Sequence, residues 1–146
     1  MVVYAKDFMT KEVIKIEVMK SALDATKLMA EREVGSLVVI DGNKPVGIIT
    51  DRDVMVKVVA NGLEPSRTKV GEFMSKPLIT VGLETPMIEI AKLMEEHGIR
   101  RVPVVERGEV VGIVTSTDMG KASKILAPYL LPRIPEIYLT PKKSPK

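Results

Sequence analysis

The fold is decided by the stretch VGIITDRD (residues 46–53), which recurs as VGIVTSTD (residues 111–118). Outward from this pair, residues 7–53 align without a gap with residues 72–118, and 14 of the 47 aligned positions are identical. An average composition alone would give about three identities. The chain therefore contains a unit that is duplicated at a fixed offset of 65 residues, as in proteins built from structural repeats.

Each copy of the unit begins with a predicted strand and a predicted helix. In the first copy, Val13–Ile16 has the pattern of a short strand, and Ser21 with Asp24 has the spacing of a capping box at a helix start. In the second copy, Thr85 and Pro86 predict the corresponding helix start, with proline at the first helical position. The offset predicts a strand before that helix as well.

Two further strands follow in each copy and predict a hairpin. Residues 36–40 and 46–49 are rich in β-branched side chains and enclose an Asp-Gly turn. Residues 102–105 and 110–114 enclose an Arg-Gly turn in the same way. Each copy is a unit of roughly 50–60 residues with one apolar side, so we expect the two copies to pack against each other.

A second helix closes each copy. It is predicted over residues 51–60 in the first copy and over 116–126 in the second, where Pro128 ends it. The predicted organisation is a first repeat (7–62), a linker (63–70), a second repeat (71–127) and a proline-rich C-terminal tail (128–146). Within the tail, residues 129–139 are too apolar for a simple linker, and we expect them to pack in extended form.

The composition excludes several classes of function. The chain has no Cys and a single His, His97, so thiol chemistry, a His-based triad and a Cys- or His-rich metal site are not expected. Residues 128–146 carry the whole net charge of +3, so the repeats themselves have no excess of basic residues to bind phosphates. Only 3% of the residues are aromatic and could stack on bases, so we expect no nucleic-acid binding. No apolar run reaches the roughly 20 residues of a membrane span, and the N-terminus lacks a signal-peptide pattern. We therefore expect a cytoplasmic protein without membrane contact.

The repeated Thr-x-x-Asp element has two interpretations. Thr50 with Asp53, and Thr115 with Asp118, have the spacing of a capping box that starts the second helix. The same geometry suits a ligand, because a helix N-terminus offers free N–H groups to a phosphate and the carboxylate can accept hydrogen bonds from ribose hydroxyls. The glycine before each element allows a ligand or another backbone to come close. These residues alone leave both interpretations open.

With the whole unit in view, the sequence resembles a pair of CBS domains, the cystathionine β-synthase type repeat. The resemblance covers residues 7–126. It rests on Phe-Met at 8–9 and 73–74, on the Lys-Leu-Met helices, on IRRVPVV at 99–105, and on Gly-x-x-Thr-x-x-Asp in both copies. It implies an α/β (α+β) fold of tandem β-α-β-β-α repeats packed as a pseudo-twofold pair. It also implies a regulatory module that binds adenosine-containing ligands (AMP, ADP, ATP, S-adenosylmethionine or NAD) in the cleft between the repeats.

The resemblance assigns ligand-binding roles to three groups of residues. Those at the ribose and the phosphate are Asp53, Asp118, Thr50, Thr115, Arg52 and Thr117. Those that wall the adenine are Val13, Ile14, Leu78 and Ile79 on one side, and Ser36, Leu37, Val102 and Pro103 on the other. Thr10, Arg100 and Arg101 complete the set.

The two copies differ at positions that would contact a phosphate. Arg100 and Arg101 of the second copy occupy the positions of Gly35 and Ser36 in the first. Across a pseudo-twofold cleft, phosphates bound by one repeat can reach the arginines of the other. We therefore expect the site built on Asp53 to have the stronger phosphate clamp.

These observations predict a small sensor protein that binds an adenine nucleotide, AMP before ATP or ADP, and that is not an enzyme. No catalytic residue and no metal ligand are predicted. We expect a homodimer formed through the helices, which regulates a protein partner of unknown identity. The alternative is a ligand-independent homodimeric interaction module that recruits a partner protein through its proline-rich tail. The intact Thr/Asp pairs favour the sensor, whereas the apolar residues of the tail favour the alternative.

Overall fold

Two small sheets, one in each repeat, organise the protein in a computed structural model that describes residues 2–130. The strands are β1 (Lys15–Glu17), β2 (Ser36–Asp41), β3 (Lys44–Thr50), β4 (Arg101–Glu106) and β5 (Glu109–Thr115). The α-helices are α1 (Ala5–Phe8), α2 (Ala22–Arg32), α3 (Asp51–Asp53), α4 (Val70–Phe73), α5 (Met87–His97) and α6 (Ser116–Leu130). A π-helix (Val54–Val59) continues α3, and a 3₁₀ turn occupies Pro65–Arg67.

The sheets confirm the predicted α/β class and both hairpins. In the first repeat, β1 lies parallel to β2 and β2 pairs antiparallel with β3. In the second repeat, β4 pairs antiparallel with β5. The two hairpins match in register, because Ser36 faces Thr50 in one and Arg101 faces Thr115 in the other. The two hairpins are therefore paired identically, at the repeat offset of 65 residues.

The prediction of a strand at the start of the second repeat is wrong, because only a single bridge joins Val81 to the neighbouring strand β4. In the first repeat, the Val38 N–H donates to the Ile14 carbonyl at 3.0 Å. The residue at the position of Val38 is Pro103, which has no N–H to donate. The remaining bonds run from the Val81 N–H to the Pro103 carbonyl at 3.0 Å and from the Val105 N–H to the Val81 carbonyl at 2.8 Å.

The second helix of the first repeat departs from the predicted α-helix over residues 51–60. After its first turn it widens, so that the Ala60 N–H donates to the Met55 carbonyl and the Leu63 N–H to the Val58 carbonyl, five residues back in both cases. The widened segment, VMVKVV, contains four valines. Because β-branched side chains crowd the preceding turn of an α-helix, this segment has little intrinsic preference for α geometry.

The last helix extends further than predicted. We expected α6 to end before Pro128, but it continues to Leu130. Proline removes one backbone N–H from the helix, and so close to the C-terminus it interrupts only the final turn. The rest of the proline-rich tail, with its predicted extended packing, lies outside the described residues.

The two predicted starts of the first helices differ in outcome. The capping box of α2 is confirmed: the Asp24 N–H donates to Ser21 Oγ at 3.0 Å, and the Ser21 N–H donates to the Asp24 carboxylate at 3.2 Å. These bonds, the backbone one first, lower the pKa of Asp24 from its ordinary value. For α5, Pro86 is the N-cap residue rather than the first helical residue, and the Thr85 hydroxyl accepts from the Gly82 N–H instead of capping the helix.

The repeats exchange the segments that precede them. Thr10, which precedes β1, forms a backbone bridge with Ile113 in β5: the Thr10 N–H donates to the Ile113 carbonyl at 2.8 Å, and the Ile113 N–H donates to the Thr10 carbonyl at 2.9 Å. Ser75 forms the equivalent bridge with Ile48 in β3, at 2.9 and 3.3 Å. The short helices follow the same exchange, because α1 packs into the core of the second repeat and α4 into the core of the first.

Glycines on β3 and β5 allow this exchange. A Cβ atom on Gly47 would lie 2.6 Å from Met74 Sδ and 3.0 Å from the Ser75 carbonyl oxygen. A Cβ atom on Gly112 would lie 2.5 Å from Met9 Sδ. The neighbour for which these glycines make room is thus the exchanged segment of the other repeat rather than a ligand. None of the helices between residues 2 and 130 has the length and apolar character needed to cross a membrane.

The close approach predicts that Gly47→Ala and Gly112→Ala each lower the free energy of unfolding, by about 1–3 kcal/mol, the usual effect of overpacking. Urea unfolding followed by circular dichroism measures this change. Gly120→Ala is the control, because its new Cβ meets no atom within 4 Å and it lies within α6. Alanine at position 120 should stabilise the protein by about 0.5–1 kcal/mol. Equal unfolding midpoints for all three variants would contradict this account of the exchange.

Candidate functional site

Two cavities lie where the repeats meet. The larger, of about 730 Å³, is lined by Ile48, Thr50, Asp51, Arg52, Asp53, Ser75, Gly98, Ile99, Arg100, Arg101, Thr115, Ser116 and Thr117. The smaller, of about 210 Å³, is lined by Thr10, Glu12, Val13, Ile14, Val34, Gly35, Ser36, Val38, Arg101, Ile113 and Thr115. Each cavity takes residues from both repeats, which follows from the segment exchange.

The larger cavity contains the Thr-x-x-Asp element of the first repeat. Its capping box is formed: the Asp53 N–H donates to Thr50 Oγ1 at 3.0 Å, and the Thr50 N–H donates to the Asp53 carboxylate at 2.9 Å. The second carboxylate oxygen of Asp53 lies 3.4 Å from Lys57 Nζ. The same ammonium group donates to the Phe73 carbonyl at 3.1 Å. The Asp53 side chain is 17% exposed, so it remains accessible from the cavity.

The Thr-x-x-Asp element of the second repeat is held differently. The Asp118 carboxylate accepts from the Thr115 N–H at 2.9 Å, from the Thr115 hydroxyl at 3.1 Å and from the Thr10 hydroxyl at 3.2 Å. Asp118 is only 5% exposed and lines neither cavity, whereas the two threonines that donate to it both line the smaller cavity. The position of Lys57 is occupied by the buried Ala122. The capping and ligand interpretations therefore apply unequally to the two repeats.

The electrostatic character of the two cavities also differs. Three arginines, Arg52, Arg100 and Arg101, line the larger cavity together with two aspartates. The smaller cavity has one cationic residue, Arg101, and one carboxylate, Glu12. A guanidinium group offers several N–H donors to a phosphate in a fixed planar arrangement. The larger cavity is thus the better suited to a group that carries several negative charges.

The structure brings many of the predicted site residues to these cavities. Those that line the larger are Thr50, Arg52, Asp53, Arg100, Arg101, Thr115 and Thr117. Those that line the smaller are Thr10, Val13, Ile14, Ser36, Arg101 and Thr115. The apolar wall of the first repeat therefore faces the threonine of the second repeat, across the junction.

Other predicted residues are placed elsewhere. Leu37 and Val102 are buried in the hydrophobic cores and line neither cavity, because side chains alternate along a strand and these two point away from the junction. Pro103 is fully buried as well. Leu78 and Ile79 are half-buried and also line neither cavity, in the segment that lacks the expected strand. These five residues therefore line neither of the two cavities, and their assignment to an adenine wall stays a prediction.

Several lining residues were missed by the sequence analysis. Ser75 could have been found, because it occupies the position of Thr10 in the second repeat. Val38 lies two residues after Ser36 on the same strand face, a spacing that also predicts it. Glu12 had no comparable signal, since it lies in an irregular segment before β1.

Comparisons with known proteins agree with the architecture. A family model described as the CBS domain matches residues 5–60 and 70–124. An uncharacterized protein of Methanopyrus kandleri is 37% identical over 128 residues, which cover 86% of this chain and 63% of the relative. The chain thus spans less than two thirds of that relative's length.

Two solved structures are similar in fold as well as in sequence. An uncharacterized conserved protein from Pyrococcus horikoshii is 36% identical, with a TM-score of 0.77 over 85% of this chain and 94% of that one. A hexameric CBS-CP12 protein from bloom-forming cyanobacteria is 32% identical, with a TM-score of 0.79 over 87% of this chain and 75% of that one. Together with the paired repeats and their matched Thr-x-x-Asp elements, these matches show that the chain belongs to the CBS domain family, as a tandem pair.

Proposed function

We propose that this CBS pair is a sensor that binds an adenine nucleotide, AMP in the first place, in the cavities between its repeats. CBS-domain proteins are generally regulatory or sensor modules, and the family model that matches this chain is not that of a catalytic domain. The observation that carries the proposal is the larger cavity, where the accessible Asp53 carboxylate and three arginines line one space. A carboxylate suits ribose hydroxyls, and arginines suit phosphate.

Within this proposal the phosphate lies in the larger cavity beside Thr50 and Arg52, where the helical segment that begins at Asp51 presents its N-terminus. Arg100 and Arg101 reach the same phosphate from the other repeat. A second nucleotide in the smaller cavity would have its adenine against an apolar surface of Val13 and Ile14. Ligand binding would regulate a partner by favouring one of two conformations or assemblies.

The first prediction concerns the two carboxylates. Asp53→Ala should weaken AMP binding at least tenfold, because a hydrogen bond to a charged group contributes about 1.5–3 kcal/mol. Asp118→Ala should weaken binding at the smaller cavity less strongly, since Asp118 acts there through Thr10 and Thr115. Calorimetric titration of nucleotide-stripped protein with AMP measures both effects, with ATP and S-adenosylmethionine as competitors.

Asp24→Ala is the matched control for these variants. It removes a carboxylate from the same kind of capping box, but on α2 and away from both cavities. AMP affinity should stay at the wild-type value in this variant. If all three variants bind AMP as tightly as the wild type, the proposed site is wrong.

The second prediction separates phosphate recognition from adenosine recognition. Arg52→Gln should weaken ATP binding about tenfold and change adenosine binding less than twofold, because the arginine contributes a charged contact to phosphate alone. The control is Arg107→Gln, which alters an exposed arginine in the turn between β4 and β5. Competition with a fluorescent nucleotide analogue measures both affinities. Equal losses for ATP and adenosine would place Arg52 at the base or ribose instead.

The alternative function, a homodimeric interaction module, is favoured by one observation. Met55 and Val59 are 55% and 59% exposed, four residues apart on the π-helix. Apolar side chains at this spacing form a surface suited to a second copy of the chain. The proline-rich tail, through which this alternative recruits a partner, lies mostly outside the described residues.

Self-association gives a third prediction. Val59→Glu should shift the protein from dimer to monomer in sedimentation velocity experiments, because a charge would be buried in the apolar contact. Met19→Glu is the control, since Met19 is 65% exposed but precedes α2 rather than lying on the π-helix. A wild-type protein that sediments as a monomer at all concentrations would overturn the helix-mediated dimer.

A further inference from the structure

The two cavities share a boundary formed by a pair of residues. Arg101 and Thr115 line both cavities, and every other lining residue belongs to one cavity alone. The two shared residues face each other at the start of the β4–β5 hairpin, where they are register partners. The cavities are therefore neighbours across one backbone pair, and Arg101 is the charged member of that pair.

Arg101 supplies a different share of the positive charge in each cavity. In the larger cavity it is one of three arginines, beside Arg52 and Arg100. In the smaller cavity it is the one cationic lining residue, and Glu12 is the one carboxylate. A phosphate that engages Arg101 from the larger cavity would leave the smaller cavity with a carboxylate and no free positive charge.

The position of the Arg101 guanidinium depends on a glycine in the other repeat. A Cβ atom on Gly35 would lie 3.2 Å from Arg101 Nη2 and 3.4 Å from Asp51 Oδ2. The guanidinium thus lies over Gly35, between the two repeats. Within residues 2–130 it makes no ion pair and no side-chain hydrogen bond, so its donors remain available to a ligand.

The arrangement is not repeated on the other side of the junction. The position of Gly35 is occupied by Arg100 in the second repeat, and the position of Arg101 is occupied by Ser36 in the first. Arg100 lines the larger cavity but not the smaller. A single arginine therefore connects the two cavities, and its neighbour Arg100 provides a natural comparison.

We propose that Arg101 couples the two cavities, so that a phosphate-bearing ligand in one lowers the affinity of the other for a second such ligand. This inference rests on the proposed nucleotide function and adds the regulation of the same site. Its physical cause is twofold: both phosphates need the same guanidinium, and two phosphates near one arginine repel each other. The coupling is reciprocal, as linkage requires, and couplings of this kind commonly change affinity about 5- to 150-fold.

The coupling is tested by removing the larger site and measuring the smaller one. In Asp53→Ala protein, AMP should bind the smaller cavity at least fivefold more tightly than it does in the second binding step of the wild type. Adenosine, which has no phosphate, should bind that cavity equally in both proteins. Calorimetric titration with AMP and with adenosine gives the four affinities.

Two arginine variants show whether Arg101 carries the effect. The double variant Arg101→Gln/Asp53→Ala should bind AMP at the smaller cavity no more tightly than the Arg101→Gln single variant does in its second binding step. When Arg100→Gln replaces Arg101→Gln in the same comparison, the tighter AMP binding caused by Asp53→Ala should remain, because Arg100 does not line the smaller cavity. Circular dichroism spectra and urea midpoints of the variants confirm that each is folded.

The possible outcomes separate the coupling from the proposed function. Binding of AMP at two sites that are unaffected by each other overturns the coupling and leaves the nucleotide function intact. A gain that persists without Arg101, or that adenosine also shows, likewise overturns it. The absence of AMP binding to the wild-type protein at millimolar concentration overturns both.

Discussion

The backbone bridges between each repeat and the segment that precedes the other are the constraint on which the structure depends. Thr10 pairs with Ile113, and Ser75 pairs with Ile48. These bridges bring the start of one repeat against the last strand of the other, and they draw the short helices α1 and α4 into the opposite cores. Both cavities lie beside these bridges, so their composition follows from the exchange.

The bridges impose a pseudo-twofold arrangement, and a few substitutions then make the halves unequal. Pro103, in place of Val38, removes the N–H that would extend the second sheet. Lys57, in place of Ala122, gives one Thr-x-x-Asp element a cation, whereas the other is satisfied by hydroxyl groups. The backbone thus supplies two comparable cavities, and side chains at these positions give them different charges and different access.

Much of this could be predicted from the sequence, because the repeat makes each signal appear twice. The hairpins, the capping box at Ser21 and the position of Thr50 and Asp53 follow from local patterns that the structure reproduces. Features that depend on tertiary contacts were harder to predict. Pro103 has no N–H to donate, so the strand predicted at the start of the second repeat is reduced to a single bridge. The burial of Asp118 behind hydroxyl groups depends on a hydrogen bond from Thr10, 108 residues away in the sequence. Local spacing contains no information about either.

The exchange of segments also bears on how two unlike sites can exist at all. A chain with a single unit could form these bridges only with another copy of itself, and the symmetry of that assembly would make its two cavities identical. Any change in one cavity would be copied into the other. Joining the units in one polypeptide removes this identity, so Gly35 and Arg100 can differ although they occupy equivalent positions. Covalent duplication is thus what permits one cavity to specialise while its counterpart stays unchanged.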